Sequence, residues 1–298
     1  YNFIGTNDWL SLLAVHELRH VAQHAHLKQN FNQLADWLGG DLFFSNLVSV
    51  NVPVWFLEGD AVGIETALTH SGRGRIPYFS LLYKANLLER NHFSYAKQIL
   101  GSYREPVSNH YKVGYYLATY LRKRYGSRVW KDVLAQTTRP KLFYNAVKKR
   151  TGKSLLKLYE EVNEDLKNLW GAQLKDLKLT QVTKLSPRNN IDYTDYIYPQ
   201  LNTEGNIIAL KSGMGAVPQF VKIDDQGEEY PLFIPGAIDT NVGFSIAQDQ
   251  IVWIETIADP IWQDRSYMVI QRYDIRTKRL ETLTCKSRYG AASLSPKK

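Results

Sequence analysis

The sequence predicts a multidomain chain in two classes: mainly α over 1–176, a polar linker over 177–190, and all-β over 191–298. Three observations carry this. Helical periodicity runs as far as Leu174. A polar stretch with Pro187 and Asn189-Asn190 then interrupts it. Beyond that, apolar residues alternate with period two, and one segment recurs 44 residues later. A length of 298 residues is enough for two domains.

The first element runs from Trp9 to Gln23 and contains His16-Glu17-Leu18-Arg19-His20, the pattern H-E-x-x-H. On a helix, His16 and His20 lie about 40° apart and one turn along the axis, so both imidazoles can reach one metal ion. Glu17 projects about 100° further round, placed to act on water rather than to bind the metal. Leu10, Leu13, Ala14, Val21 and Ala22 are expected to pack this helix into a core.

Two candidates exist for a third ligand. The first is Glu58, in a helix expected from Trp55 to Leu68 after Pro53. Glu58 and Glu65 are seven apart, hence within about 20° of each other on that helix. Trp55, Phe56, Leu57, Val62 and Ile64 imply that it is largely buried. Two carboxylates on such a helix are costly without a partner. One could bind the metal while the other orients a ligand histidine. The second candidate is His26, six residues after His20. That alternative needs a sharp turn at position 23, where Gln23 favours continued helix. In an unbroken helix His26 points about 240° away from His20.

Residues 8–176 resemble a gluzincin zinc peptidase domain, a zincin-like fold. There H-E-x-x-H on one helix is followed by W-x-x-E-G-x-A on the next. Trp55-Phe56-Leu57-Glu58-Gly59-Asp60-Ala61 matches every fixed position. The resemblance implies His16, His20 and Glu58 as ligands of one Zn2+ per chain and Glu17 as general base. It implies Glu65 as an acid supporting a ligand from behind. It also implies a tyrosine ahead of an amphipathic helix ending in Y-G. Counting back from Tyr125-Gly126 puts Tyr111 there, with Tyr115 and His110 as alternatives. Such domains carry a β-sheet before the H-E-x-x-H helix. Only seven residues precede Asp8, so the chain is expected to be a fragment.

Further on, residues 143–156 read as helix, turn and new helix. Gly152-Lys153-Ser154 is not a phosphate-binding loop, because Val147 stands where the first glycine belongs.

In the β part, Asn206-Ile207-Ile208-Ala209-Leu210 recurs as Gln250-Ile251-Val252-Trp253-Ile254. Each is followed by a second strand, 219–224 and 268–274, and a third copy is expected from Ala291. This period and strand length mark propeller blades. Leu201–Gly205 and Leu294–Lys298 are similar to the F-S-P-D-G turn of TolB-like propellers. Two blades cannot close a ring, so a partial β-propeller is expected. The resemblance implies a bacterial envelope protein, periplasmic or secreted, with a possible protein partner on the propeller.

Composition limits the function classes. The chain is 44% hydrophobic and 22% charged, as in a globular protein, and no run of 18 apolar residues offers a transmembrane segment. The lone Cys285 excludes an internal disulfide and a cysteine-rich zinc site. Residues 71–153 hold 18 Lys+Arg against 3 Asp+Glu, yet no nucleic-acid motif accompanies them, so no nucleic-acid partner is expected. Residues 1–70, with 2 against 7, suit a metal site. The expected activity is hydrolysis of a peptide or protein substrate, exo or endo being open. The alternative is a catalytically degenerate zinc-binding fold whose propeller binds protein.

Overall fold

The structure, a computed structural model, describes residues 9–90, 92–139, 141–185 and 193–295. Apart from 103–105, one compact unit ends at Leu179 and a second begins at Thr180. The first holds every described helix and the second every described strand.

The helical unit opens with α1 (Trp9–Leu27), α2 (Asn30–Asn51) and α3 (Val54–Leu68). Pro53 is the residue that caps α3, with extended backbone. A 3-10 turn (Arg73–Arg75) follows, then α4 (Pro77–Glu89), α5 (Tyr95–Leu100) and α6 (His110–Tyr125). The unit closes with α7 (Val129–Thr137), α8 (Phe143–Thr151) and α9 (Leu155–Lys175). Gly152 ends α8 in the left-handed region at φ 77°, and the Ser154 side chain caps α9 by accepting from Lys157 N–H. Gly152-Lys153-Ser154 is therefore a helix-turn-helix joint.

The core centres on α3. Trp55 and Phe56 pack with Trp130 of α7 and Phe143 of α8, the Phe56 ring lying 4.5 Å from Trp130 and 5.3 Å from Phe143. Helix α6 crosses α3 with its backbone almost touching. A Cβ on Gly59 would lie 2.0 Å from the Gly114 carbonyl carbon, and one on Gly114 would lie 1.9 Å from Trp55 O. The glycine after Glu58 is thus required by the crossing that brings α6 to the site. We expect Gly59→Ala to destabilise the helical unit by about 3 kcal/mol or more, because two backbones must separate. A thermal melt should fall by roughly 10 °C. An unchanged midpoint would disprove the tight crossing.

The expected packing of α1 is corrected by the structure. Leu10, Leu13 and Val21 are 53%, 43% and 63% exposed, and Ala14 and Ala22 are exposed as well. The buried residues are His16, Gln23 and Leu27. They lie seven and four apart, on one face. That face turns inward because Arg19 and Gln23 both reach the fully buried Asp60 of α3. Buried polar groups must be paired, and here that pairing outranks the apolar stripe.

Beyond α9, residues 176–185 have no regular structure and are almost all exposed. The rest of the expected linker, 186–190, with Pro187 and Asn189-Asn190, lies outside the described residues. The first proteolytic cuts in the folded chain are expected between Leu174 and Asp192, with trypsin acting at Lys178 or Lys184. Early cleavage inside α9 or the strands would contradict this division.

The β unit contains two four-stranded antiparallel sheets of consecutive strands. The first is β1 (Thr194–Leu201), β2 (Ile207–Gly213), β3 (Gln219–Ile223) and β4 (Glu229–Phe233). The second is β5 (Ser245–Ala247), β6 (Gln250–Ala258), β7 (Ser266–Asp274) and β8 (Arg279–Thr282). The repeated segments 207–210 and 251–254 take the same place, the second strand of each sheet. Ile208, Leu210 and Phe220 of the first sheet share one apolar cluster with Ile251, Trp253 and Tyr273 of the second. The Gln200 amide bridges them, donating to Phe244 O and accepting from Ile246 N–H. No closed ring is present among the described residues. The third copy expected from Ala291 is not found as a strand: residues 291–295 have no regular structure. Residues 296–298, the end of the second expected F-S-P-D-G-like turn, lie outside the described residues.

Candidate metal centre

Three side chains converge where α1 meets α3. His16 Nε2 is 3.2 Å from His20 Nε2 and 3.3 Å from Glu58 Oε2. His20 Nε2 is 3.5 Å from the same carboxylate oxygen. Among the described residues, these are the group whose donor atoms are close enough to share a metal. A tetrahedral shell with bonds of about 2.0–2.2 Å has edges of about 3.3–3.6 Å. The three donors are thus already near the spacing that such an ion requires. His16 is buried, whereas His20 and Glu58 are part-exposed, so the cluster opens to solvent on their side.

The remaining nitrogen of His16 defines its orientation. Nδ1 lies 2.9 Å from Glu65 Oε2. A carboxylate only accepts, so Nδ1–H donates to Glu65, which leaves Nε2 facing Glu58 and His20 as the nitrogen able to offer a lone pair to a shared metal. Glu65 is 1% exposed. It receives Nε and Nη2 of Arg73 at 2.7 and 2.8 Å and the Arg73 backbone N–H at 3.0 Å. Burial by itself would raise the Glu65 pKa. The hydrogen bonds from Arg73 and His16 and the Arg73 charge outweigh it and hold the carboxyl at about 2. Arg73 Nη2 also lies 2.8 Å from His16 Nδ1, but with both atoms donating, each satisfies itself on Glu65.

Glu17 is exposed on α1. Tyr111, at the start of α6, stands close enough to Glu58 for that carboxylate to act on its phenol. Desolvation and the charges of Glu58 and Glu17 raise its pKa against the opposing Arg73, so the phenol keeps its proton at neutral pH. The Arg73 guanidinium lies 5.4 Å from the Tyr111 ring centre. The alternatives to Tyr111 sit elsewhere: Tyr115 packs edge-on against Phe79, and His110 lies against the Tyr111 ring. His26 Nε2 donates to Lys131 O, 3.2 Å away, and His24 rests against Phe44. Neither joins the cluster.

The structure thus brings His16, His20, Glu58, Glu65 and Tyr111 together, with the Glu17 charge felt at Tyr111. Three contributors were not found from sequence. Arg73 lies in a basic region that reads as surface. Gln23 reads only as a helix former. Asp60 occupies a variable position of the W-x-x-E-G-x-A pattern. The one available signal for Asp60 was a third carboxylate on a helix whose neighbours are apolar. No family model, curated protein or solved structure was found to match the chain.

Proposed function

We propose that this chain is a zinc-dependent peptidase of gluzincin type. The observation carrying the proposal is the His16–His20–Glu58 triangle at tetrahedral spacing, with His16 Nδ1 turned away from it onto Glu65. Two nitrogens and one carboxylate oxygen form the donor set of a catalytic zinc site that keeps one position open. Zinc, when bound, supplies Lewis acidity that acidifies water and polarises a carbonyl.

The chain's own residues divide the remaining work. Glu17, solvent-exposed beside the two ligand histidines, accepts the proton of the attacking water and passes it to the leaving amine. Tyr111, still protonated at neutral pH, donates to the oxyanion that develops on the substrate carbonyl. Glu65, locked by Arg73, keeps His16 turned toward the metal.

The two sheets are read as consecutive blades of a TolB-like propeller, a platform for a protein partner in the bacterial envelope. Their packing supports this. The first sheet offers Ile208 and Leu210 to the shared cluster, while the second offers Ile251 and Trp253. Across the 44-residue offset, those are opposite faces of equivalent strands. Front-to-back stacking is what blades do, whereas a two-fold sandwich would join like faces.

The test is metal content together with hydrolysis of a quenched casein substrate. About one zinc per chain with chelator-sensitive hydrolysis is expected. Zinc without hydrolysis would favour the degenerate, binding-only reading, and no zinc would overturn the proposal.

A further inference from the structure

Resting on the zinc reading, we infer that Gln23 is a positioning residue whose amide, oriented by buried Asp60, sets the tautomer of His20. The two ligand histidines are supported differently. His16 leans on a carboxylate, which can only accept. His20 leans on an amide: its Nδ1 is 2.9 Å from Gln23 Oε1. An amide carries both a donor end and an acceptor end, so by itself it dictates no tautomer.

The other end of Gln23 resolves the choice. Its Nε2 faces Leu57 O at 3.0 Å and Asp60 Oδ2 at 2.8 Å. Both partners are acceptors. Turning the amide over would set its oxygen against a carbonyl and a carboxylate, with Gln23 only 1% exposed. The donor end is therefore committed to Leu57 and Asp60. The acceptor end is left for His20, whose Nδ1 must carry the hydrogen. His20 Nε2 is then the nitrogen left to offer a lone pair to a metal held among His16, His20 and Glu58.

Asp60 is the anchor of this relay. It is fully buried, and Arg19 Nε donates to it at 2.7 Å while Arg122 Nη2 from α6 pairs with its other oxygen. Two guanidinium groups donate to its oxygens, so both serve as acceptors here. Arg19 is the second variable residue of H-E-x-x-H, and Asp60 the variable residue of E-G-x-A. The variable positions of both motifs thus join behind the metal cluster. Two of the three ligands come to one ion with their tautomers already chosen, one by Glu65 and one by Gln23.

The experiment uses the full chain and zinc itself as the probe. Zinc affinity is measured by chelator competition for wild type and Gln23→Met. Methionine fills the space but neither donates to Asp60 nor accepts from His20, so affinity should weaken about 10–100-fold. Wild-type affinity in Gln23→Met would overturn the inference. The independent readout is the His20 tautomer in chelator-stripped wild type. Long-range proton–nitrogen spectra, with the signal identified by its disappearance in His20→Gln, should place the hydrogen on Nδ1. A hydrogen on Nε2 would overturn the inference even if the variants failed to fold. Wild type that binds no zinc would end the peptidase reading, whereas the tautomer would still decide this one.

Discussion

Glu58→Ala should remove most of the zinc from protein purified without chelator, while His26→Ala should keep it. The first change deletes one of three donors and leaves His16 and His20 alone around the ion. Losing only an outer partner of a ligand costs about 10–100-fold in metal affinity, so losing a ligand should cost more than about 100-fold. His26 faces Lys131 O instead, 3.2 Å away, and contributes no donor to the cluster. Zinc retained without Glu58 and lost without His26 would replace the proposed ligand set by the three-histidine one. Metal analysis of the two purified variants is sufficient to decide. Circular dichroism on Glu58→Ala guards against a folding artefact, since Glu58 is part-exposed and its removal leaves no cavity in the core.

Glu17→Gln should bind zinc as wild type does and lose about 10^2–10^4-fold in hydrolysis of the quenched substrate, the range expected for a general base. The amide preserves size and polarity but cannot take a proton from water. Glu17 lies on the exposed side of α1, apart from the metal donors, so the metal content should be unaffected. Unchanged hydrolysis would sink the mechanism. Loss of zinc would place Glu17 among the ligands.

Where local spacing carries the information, the sequence was legible. His16 and His20 are brought onto one face by helical geometry, and Glu58 and Glu65 likewise, so a seven-residue interval predicted that both carboxylates would face the histidines. The strands β2, β3, β6 and β7 were legible because each carries a short apolar stretch; burial alternates along β7, whereas β2 and β6 bury successive residues on both faces. Strands β1, β4, β5 and β8 went unseen. They are short, or at sheet edges with few buried residues, and leave little alternation to read.

The sequence by itself determined the chemistry available at the site and the change from helices to strands, since both follow from intervals along the chain. Only the tertiary structure decided which side of α1 faces inward. An apolar stripe favours burial in proportion to its area, but Arg19 and Gln23 have a buried acid to meet on the other face. Tertiary structure alone also recruited Arg73 to Glu65 and Arg122 to Asp60, contacts between separate elements. It gave Gly59 its reason as well, because only the crossing with Gly114 leaves no room for a Cβ. Each of these depends on what arrives from a distant part of the chain, and no local interval encodes that.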